Sequence, residues 1–240
     1  MCGRFGLTVD ERRLAGEFSE LNPAITLPCL TPRYNIAPSQ DVLVLRGAPG
    51  DTEGDLVRWG IGLPSTASGR ARDLINVRAE RATGGGLFTE LLERRRVLVP
   101  ASWFYEWRGR GSTRRPVLIG PPDGGLLVFA GLQGRWTDRA GGTVPAVTIL
   151  TTEPNALLAD IHDRMPVVLP RAAWTRWLDP RTGARGVADL LRPCDDEWLT
   201  VRPVSRLVND ATREGPELAT EVDEMDEADE LTGQQELPLG

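Results

Sequence analysis

The stretch VLVPASWFYEW, residues 97–107, contains two short runs of β-forming residues, Val97–Val99 and Trp103–Trp107. Valine and the aromatic residues are enriched in strands. The glycine-rich turn Gly109-Arg110-Gly111 follows, and a third run, Pro116–Ile119, comes after that turn. The stretch therefore predicts short neighbouring strands joined by turns.

Similar runs lie on both sides of this stretch, at Val42–Arg46, Asp55–Gly60, Leu74–Arg78, Leu126–Gly131 and Val144–Thr151. Helical patterns are fewer, at Phe88–Arg95, Glu153–Asp160, Arg171–Leu178 and Val187–Leu191. Because the strands rarely alternate with long helices, the chain is predicted to be an α+β protein with mostly antiparallel strands.

The N-terminal region has a helix signal of its own. Thr8 and Glu11 have the spacing of a capping box, which predicts a first helix from about Val9 to Glu20. A proline-rich loop is expected next, containing Pro23, Pro28, Pro32 and Pro38.

Charge divides the chain into two parts. The 240 residues have a net charge of −6, but residues 214–240 hold ten acidic residues and no arginine. Residues 1–213 therefore carry 28 arginines against 24 acidic residues, a net charge of +4. This predicts a folded domain over 1–213 and a disordered acidic tail over 214–240. An arginine-rich domain permits a polyanionic partner, although a solvated arginine surface explains so small an excess equally well.

Composition also limits the cellular setting. No run of eighteen apolar residues occurs and the start lacks an apolar signal region, so neither a membrane span nor secretion is indicated, and a cytoplasmic protein is expected. Cys2, Cys29 and Cys194 are too few and too scattered for a disulfide framework or a zinc site. No metal or cofactor is predicted.

The first residues suggest aldehyde chemistry. If Met1 is removed, Cys2 carries a thiol and a free α-amine on adjacent carbons, which together can close an aldehyde carbon into a thiazolidine ring. An α-amine titrates near ~8 and a lysine near ~10.4, so the terminal amine is the better nucleophile at neutral pH. The sequence has no lysine at all, so this amine would be the only Schiff-base former. A cysteine at position 2 by chance, at a disordered terminus, is the alternative.

Two further residues have the chemistry that such a reaction needs. A deoxyribose without its base is mostly a closed hemiacetal, and a protonated carboxyl can open it. Glu106 lies among aromatic residues that would desolvate it and raise its pKa, unless it faces outward on its strand. His162, the single histidine, would transfer protons from a loop, or else have a structural role.

Asn76 and Arg78 alternate on one predicted strand, so they should share a face while Ile75 and Val77 face the core. Arg78 would bind phosphate, and the Asn76 amide would orient the terminal cysteine or the sugar. An exposed polar face of a sheet is the alternative.

Seven motifs occur together in the chain: Met1-Cys2-Gly3-Arg4-Phe5, Arg33-Tyr34-Asn35-Ile36-Ala37-Pro38, Arg58-Trp59-Gly60, Asn76-Val77-Arg78-Ala79-Glu80, Pro100 with Phe104-Tyr105-Glu106-Trp107, Thr151-Thr152, and His162-Asp163-Arg164-Met165-Pro166. In this order they resemble the SRAP family, the SOS-response-associated peptidase family, whose members include sensors of abasic sites in single-stranded DNA. The resemblance covers residues 2 to about 207.

The resemblance implies a β-rich, barrel-like core flanked by helices, and a thiazolidine crosslink that shields an abasic site during replication. It implies that Cys2 is the nucleophile, that Asn76 positions it, that Glu106 assists ring opening and that His162 handles protons. It also implies a DNA-binding set that either contacts phosphates or lines the cleft: Arg4, Pro38, Trp59, Arg78, Trp107, Thr151 and Arg164. For Trp59 and Trp107, stacking on a base competes with a place in the core.

Two other functions fit the same residues. Cys2, Glu106 and His162 could form a cysteine peptidase, including one that removes Met1 from its own chain. The chain could instead be a noncovalent reader of modified DNA. Strand cleavage by β-elimination, a lyase activity, is left open.

The last residues of the tail, Gln234 to Leu239, resemble peptides with which bacterial repair proteins bind the replication sliding clamp. Gln234, Leu237 and Leu239 would make that contact. Because the match is only six residues long, a C-terminus that binds no partner explains it equally well.

Overall fold

The computed structural model describes residues 2–62, 73–138 and 140–223. Most of the predicted acidic tail, including the clamp-like peptide at 234–239, lies outside the described residues.

Within these ranges the chain forms short strands and a few short helices. The strands are β1 (Phe5–Leu7), β2 (Arg33–Ile36), β3 (Asp41–Arg46), β4 (Glu53–Trp59), β5 (Ile61–Gly62), β6 (Asp73–Leu74), β7 (Asn76–Arg78), β8 (Arg96–Ala101), β9 (Trp103–Arg108), β10 (Arg115–Gly120), β11 (Leu127–Thr137), β12 (Thr143–Thr152), β13 (Met165–Pro166) and β14 (Thr200–Pro203). The α-helices are α1 (Glu11–Glu17), α2 (Ala79–Thr83), α3 (Leu87–Arg94) and α4 (Trp174–Leu178). None of these helices is long and apolar enough to cross a bilayer.

The larger sheet closes on itself. Its strands follow the order β11-β8-β3-β4-β12, and β12 then pairs with β11, which completes a ring of five strands. The β12–β4 pairing is parallel, with Ala146 opposite Arg58, whereas the other four pairings of the ring are antiparallel. At Gly131 in β11, a Cβ atom would lie 2.9 Å from methyl groups of Val97 and Val99, so glycine permits the close approach inside the barrel. The predicted α+β class with a barrel-like core is confirmed.

The second sheet places β1 beside β9. Its order is β14-β10-β9-β1-β2, and every pairing in it is antiparallel. Phe5 of β1 is opposite Phe104 of β9, and the Phe5 ring contacts Trp59 at 5.1 Å and Phe129 at 6.0 Å between ring centroids. These edge-on contacts pack the second sheet against the barrel.

The two faces of β9 bury different sets of residues. Phe104 belongs to the main core, whereas Trp103 and Tyr105 belong to a second cluster with Val204 and Val208. Since side chains alternate along a strand, Glu106 points to the same side as Phe104, toward the barrel. This settles the orientation that the sequence left open.

Several predicted elements differ in the structure. The first helix is shorter than predicted, and its cap is Asp10, whose side chain accepts from Arg13 N; the backbone N–H of Thr8 instead donates to Ser102 Oγ at 3.0 Å. The predicted strand Leu74–Arg78 is divided, because β6 pairs with β5 and β7 pairs with β12. The proline-rich loop contains β2, which pairs with β1.

Residues 153–160 do not form the predicted helix. They form turns in which Asn155 accepts from Leu158 N through Oδ1 and donates to Cys194 O through Nδ2. An asparagine side chain that bonds to nearby backbone competes with helical hydrogen bonding. Residues 171–178 and 185–190 include 3₁₀ turns, so only α4 is α-helical there.

Residues 214–223 are packed against the domain although they were predicted as disordered. Leu218 is fully buried, and Glu214 bonds to Arg33 Nε at 2.9 Å and to Tyr34 N at 2.7 Å. A few buried apolar contacts and paired charges thus order a segment whose composition is acidic. The folded domain extends beyond residue 213, to at least Asp223.

Candidate active site

Cys2 lies where the two sheets meet. It lies three residues before the start of β1, and Tyr105 N of the neighbouring strand β9 donates to Arg4 O at 2.9 Å. The Cys2 side chain is completely buried, and its Sγ lies 3.9 Å from Arg4 O. Burial, together with the negative charge of Glu106, raises the pKa of the thiol. The thiol is therefore held in its protonated form beside a carboxyl group.

Asn76 reaches Cys2 from the other sheet. It begins β7, which pairs with β12 in parallel, and its Nδ2 donates to Cys2 O at 2.6 Å. Its Oδ1 is buried and has no hydrogen-bond partner among the residues described. The Nδ2 atom of Asn76 thus fixes the backbone of Cys2, and its Oδ1 atom can accept a hydrogen bond from a ligand. Asn76 is buried while Arg78 is exposed, so the two do not form the shared polar face that was predicted.

Glu106 is the buried acid of the site. Its side chain is in the middle of β9 and only 3% of its surface is exposed. Burial raises the pKa of its carboxyl, while the positive charges of His162 and Arg114 act in the opposite direction. These interactions place Cys2, His162 and Arg114 within electrostatic reach of one carboxyl group.

His162 lies in a turn whose groups suit both of its protonation states. Its Nδ1 accepts from Arg164 N at 3.0 Å and lies 2.9 Å from Asp163 Oδ1. A neutral ring can accept from the backbone N–H, and a protonated ring can donate to the carboxylate; the proton position is inferred from these partners.

Arg164 was predicted to contact phosphate, but its guanidinium is already used inside the protein. It makes a two-pronged ion pair with Glu80, at 2.8 Å for each bond, and donates to Thr151 O at 2.7 Å. Its hydrogen bonds to Glu80 lower the pKa of that carboxyl to about 2. Arg164 and Thr151 are both buried, and together they support the turn that contains His162.

Trp59 was predicted to line the DNA cleft and is instead a core residue. Its ring is 0% exposed, and its Nε1 donates to Ile75 O at 2.9 Å. A tryptophan in this position cannot stack on a base, which decides between the two roles that the sequence allowed.

The remaining predicted residues are accessible. Pro38 and Arg78 are exposed, and Trp107 is partly exposed, with its Nε1 donating to Asn209 Oδ1 at 2.7 Å. The guanidinium carbon of Arg4 lies 6.0 Å from the centroid of the Trp107 ring. Arg4 also donates through Nη1 to Asn35 Oδ1 and Val208 O, so only part of its guanidinium can bind a ligand.

Sequence reasoning missed Glu80 and Arg114. Glu80 was within a quoted motif, but its partner Arg164 is 84 positions away and only the fold brings them together. Arg114 lies 6.0 Å from the centroid of the Trp107 ring and acts electrostatically on Glu106. The sequence feature that could have identified Arg114 is the group of arginines after Trp107.

No group of three or more His, Cys, Asp or Glu side chains within the described ranges could hold a metal ion.

Comparison with known proteins places this geometry in a family. The family model described as "SOS response associated peptidase (SRAP)" matches residues 1–211. The chain belongs to the SRAP family. The family assignment agrees with the resemblance seen in the sequence motifs.

Relatives in the SRAP family have names that refer to DNA damage. The chain is 34% identical over 222 residues to the abasic site processing protein YoqW of Bacillus subtilis, covering 91% of this chain and 98% of that protein. It is 35% identical over 222 residues to the abasic site processing protein YoaM of the same organism, covering 91% and 97%.

A solved structure shares the fold. The crystal structure of a protein from Bacteroides thetaiotaomicron matches with a TM-score of 0.75 and 20% identity, covering 92% of this chain and all of that one. At this level of identity the match supports the SRAP architecture and nothing more about chemistry.

Proposed function

We propose that this protein senses abasic sites in single-stranded DNA and captures them covalently through Cys2 after Met1 has been removed. The observation that carries the proposal is the hydrogen bond from Asn76 to Cys2 O, which holds the cysteine backbone beside a buried carboxyl of raised pKa. The names of the relatives, abasic site processing proteins, support the same substrate.

The reaction begins with the sugar. Protonated Glu106 donates a proton to the ring oxygen of the hemiacetal, and the C1 hydroxyl loses its proton as the aldehyde forms. The free amine of Cys2 adds to the aldehyde carbon, and loss of one water gives the imine. Glu106 and His162 accept and return the protons of these steps.

Ring closure completes the capture. The thiol of Cys2 adds across the imine C=N bond, with sulfur bonding to carbon and its proton going to nitrogen by way of Glu106 or His162. The product is a thiazolidine, and the sum of the steps is aldehyde plus aminothiol giving ring plus water, with no oxidation. The raised pKa of the thiol means that this proton must be removed by a neighbouring base during closure.

Trp107, Arg78 and Pro38 are accessible and would contact the DNA. Trp107 offers a surface for a base, worth about 1–3 kcal/mol, and Arg78 offers a charge for phosphate. Once crosslinked, the abasic site is shielded by protein during replication. Binding of the sliding clamp by Gln234, Leu237 and Leu239 stays a prediction.

A denaturing gel tests the proposal. Purified protein is incubated with a single-stranded oligonucleotide containing one abasic site, and a heat-stable shifted band is expected. Cys2→Ala should abolish the band, whereas the matched control Cys29→Ala, which changes an exposed cysteine, should keep it. Cys2→Ser keeps the amine and should give only a reversible imine adduct.

The same experiment separates the alternatives. A stable adduct that persists in Cys2→Ala, or protein with Met1 retained that still crosslinks, contradicts capture by the terminal aminothiol. Retarded DNA on a native gel without any covalent band supports a noncovalent reader. Removal of Met1 that is lost in Cys2→Ala, without any adduct in the wild type, supports a peptidase.

A further inference from the structure

The turn between β9 and β10 carries a concentration of positive charge. Residues 108–115 contain Arg108, Arg110, Arg114 and Arg115 and no acidic residue. Arg108 and Arg115 are directly opposite each other in the hairpin register. The turn therefore concentrates positive charge in a short segment.

This turn continues directly from the candidate active site. Glu106 and Trp107 are paired with Val117 and Pro116 in the same hairpin, immediately before the turn. The guanidinium of Arg114 lies beside the Trp107 ring, and its charge acts on the Glu106 carboxyl. The turn is therefore next to the acid and the accessible tryptophan.

Arg110 and Arg114 have charge available for a ligand. Both are exposed, and neither makes an ion pair with any residue in the described part of the chain. Arg164 and Arg58 differ from them, because Arg164 is paired with Glu80 and Arg58 is paired with Asp73.

We propose that Arg110 and Arg114 form a phosphate-binding extension of the site that holds the single strand on one side of the abasic nucleotide. Arg110 and Arg114 lie in the turn that follows β9, three and seven positions after Trp107. The inference rests on the proposed function, since it takes the same DNA as ligand.

Noncovalent binding tests the extension. In a Cys2→Ala background, affinity is measured by fluorescence anisotropy for abasic oligonucleotides in which one flank is long and the other is cut to two nucleotides. Arg110→Ala/Arg114→Ala should weaken binding about tenfold at low salt and make the slope of log affinity against log salt shallower by about 1.4, because each phosphate contact on a single strand contributes about 0.7. Shortening one flank should lower the DNA affinity of the parent and leave the DNA affinity of the double variant nearly unchanged.

Two further variants provide controls. Arg94→Ala removes an exposed arginine from α3 and should leave the affinity and the salt slope as in the parent. Arg110→Lys/Arg114→Lys keeps both charges and should preserve the slope, which separates charge from folding. The inference would be overturned if shortening either flank reduced the affinity of the parent and of the double variant equally, and if the two proteins had equal salt slopes.

The readout is independent of crosslinking. If wild-type protein forms no adduct but the flank effect is present, the proposed function fails and the extension stands. If the wild type crosslinks and the flank effect is absent, the extension fails and the proposed function stands.

Discussion

Glu106 shows how one buried side chain serves reactivity and opposes stability. Burial favours its neutral form, which is the form that can donate a proton near neutral pH. The same burial disfavours the ionised form. The neutral carboxyl therefore stabilises the folded state relative to the ionised one, and ionisation lowers the free energy of unfolding. Because the folded pKa is raised, this stabilising contribution is present below the usual value of 4.5 and is lost as pH rises through the folded pKa.

Glu106→Gln is expected to slow crosslinking by about 10²-fold or more, because it removes the general acid. The wild-type rate needs a protonated carboxyl and a neutral amine, so it should pass through a maximum with pH. The variant should lose the dependence on the carboxyl and rise steadily until the amine is neutral near ~8. Single-turnover gels between pH 5 and 9 measure both profiles.

The thermal midpoint of Glu106→Gln is the control for folding. It should equal or exceed that of the wild type above neutral pH, since a buried ionisable group has been removed. A variant with normal crosslinking, or with the same pH maximum, contradicts the role of Glu106.

Asn76 holds Cys2 by a single side-chain hydrogen bond between two sheets. Asn76→Ala removes that bond and leaves the Cys2 carbonyl without its donor, which is expected to cost about 1–3 kcal/mol in the free energy of unfolding. Crosslinking at saturating DNA should fall at least tenfold, because the amine is no longer positioned. Urea titration and single-turnover gels measure the two effects, and unchanged crosslinking at reduced stability would show that Asn76 is only structural.

At the scale of elements, the contact between β1 and β9 requires a glycine at position 6, which has no side chain. A Cβ atom at Gly6 would lie 2.5 Å from the Trp103 ring, whereas at Gly16 in α1 nothing lies within 4 Å. Gly6→Ala should destabilise the protein by about 2 kcal/mol or more through overpacking. The matched Gly16→Ala should stabilise it by about 0.5–1 kcal/mol, since alanine is the better helix former. Denaturant unfolding of both variants checks the contrast, and equal effects would refute the close packing of β1 on β9.

The Glu80–Arg164 ion pair joins the start of α2 to the His162 turn. Glu80→Gln should cost about 1 kcal/mol at pH 7, because Glu80 is mostly exposed while Arg164 is nearly buried. The pKa of Glu80 is about 2 instead of 4.5, so the stabilisation is present above 4.5 and is lost as pH falls toward 2. The difference between wild type and variant should shrink over that range in urea titrations. Glu90→Gln, on the exposed face of α3, should show no such trend.

At the scale of the whole molecule, the C-terminal segment is part of the domain. The Tyr105 hydroxyl lies 3.3 Å from Leu218 O, and Glu214 accepts a hydrogen bond from Tyr34 N at 2.7 Å. Ending the chain after residue 213 should expose the second cluster and lower the thermal midpoint by roughly 5 °C or more, since each kcal/mol corresponds to about 2–4 °C at this size. Ending it after Asp223 keeps these contacts and serves as the control. Equal midpoints for the two shortened chains would contradict the packing of 214–223.

The long strands were predictable because their patterns are local. β3, β8, β9, β10 and β12 coincide with apolar or aromatic runs that need no knowledge of their partners. β2 was missed because its strand character depends on pairing with β1, and residues 153–160 were wrongly predicted as helix because Asn155 binds the backbone of its own turn.

The amino-acid sequence by itself determined the α+β class and placed a cysteine at position 2, because these follow from residue type and short spacing. Only the tertiary structure decided that the barrel closes through β12 and β4, that Trp59 is core, and that Arg164 is bound to Glu80. The physical reason is that burial and charge pairing depend on residues far apart in the chain, and their free energy exists only once the fold has brought them into contact.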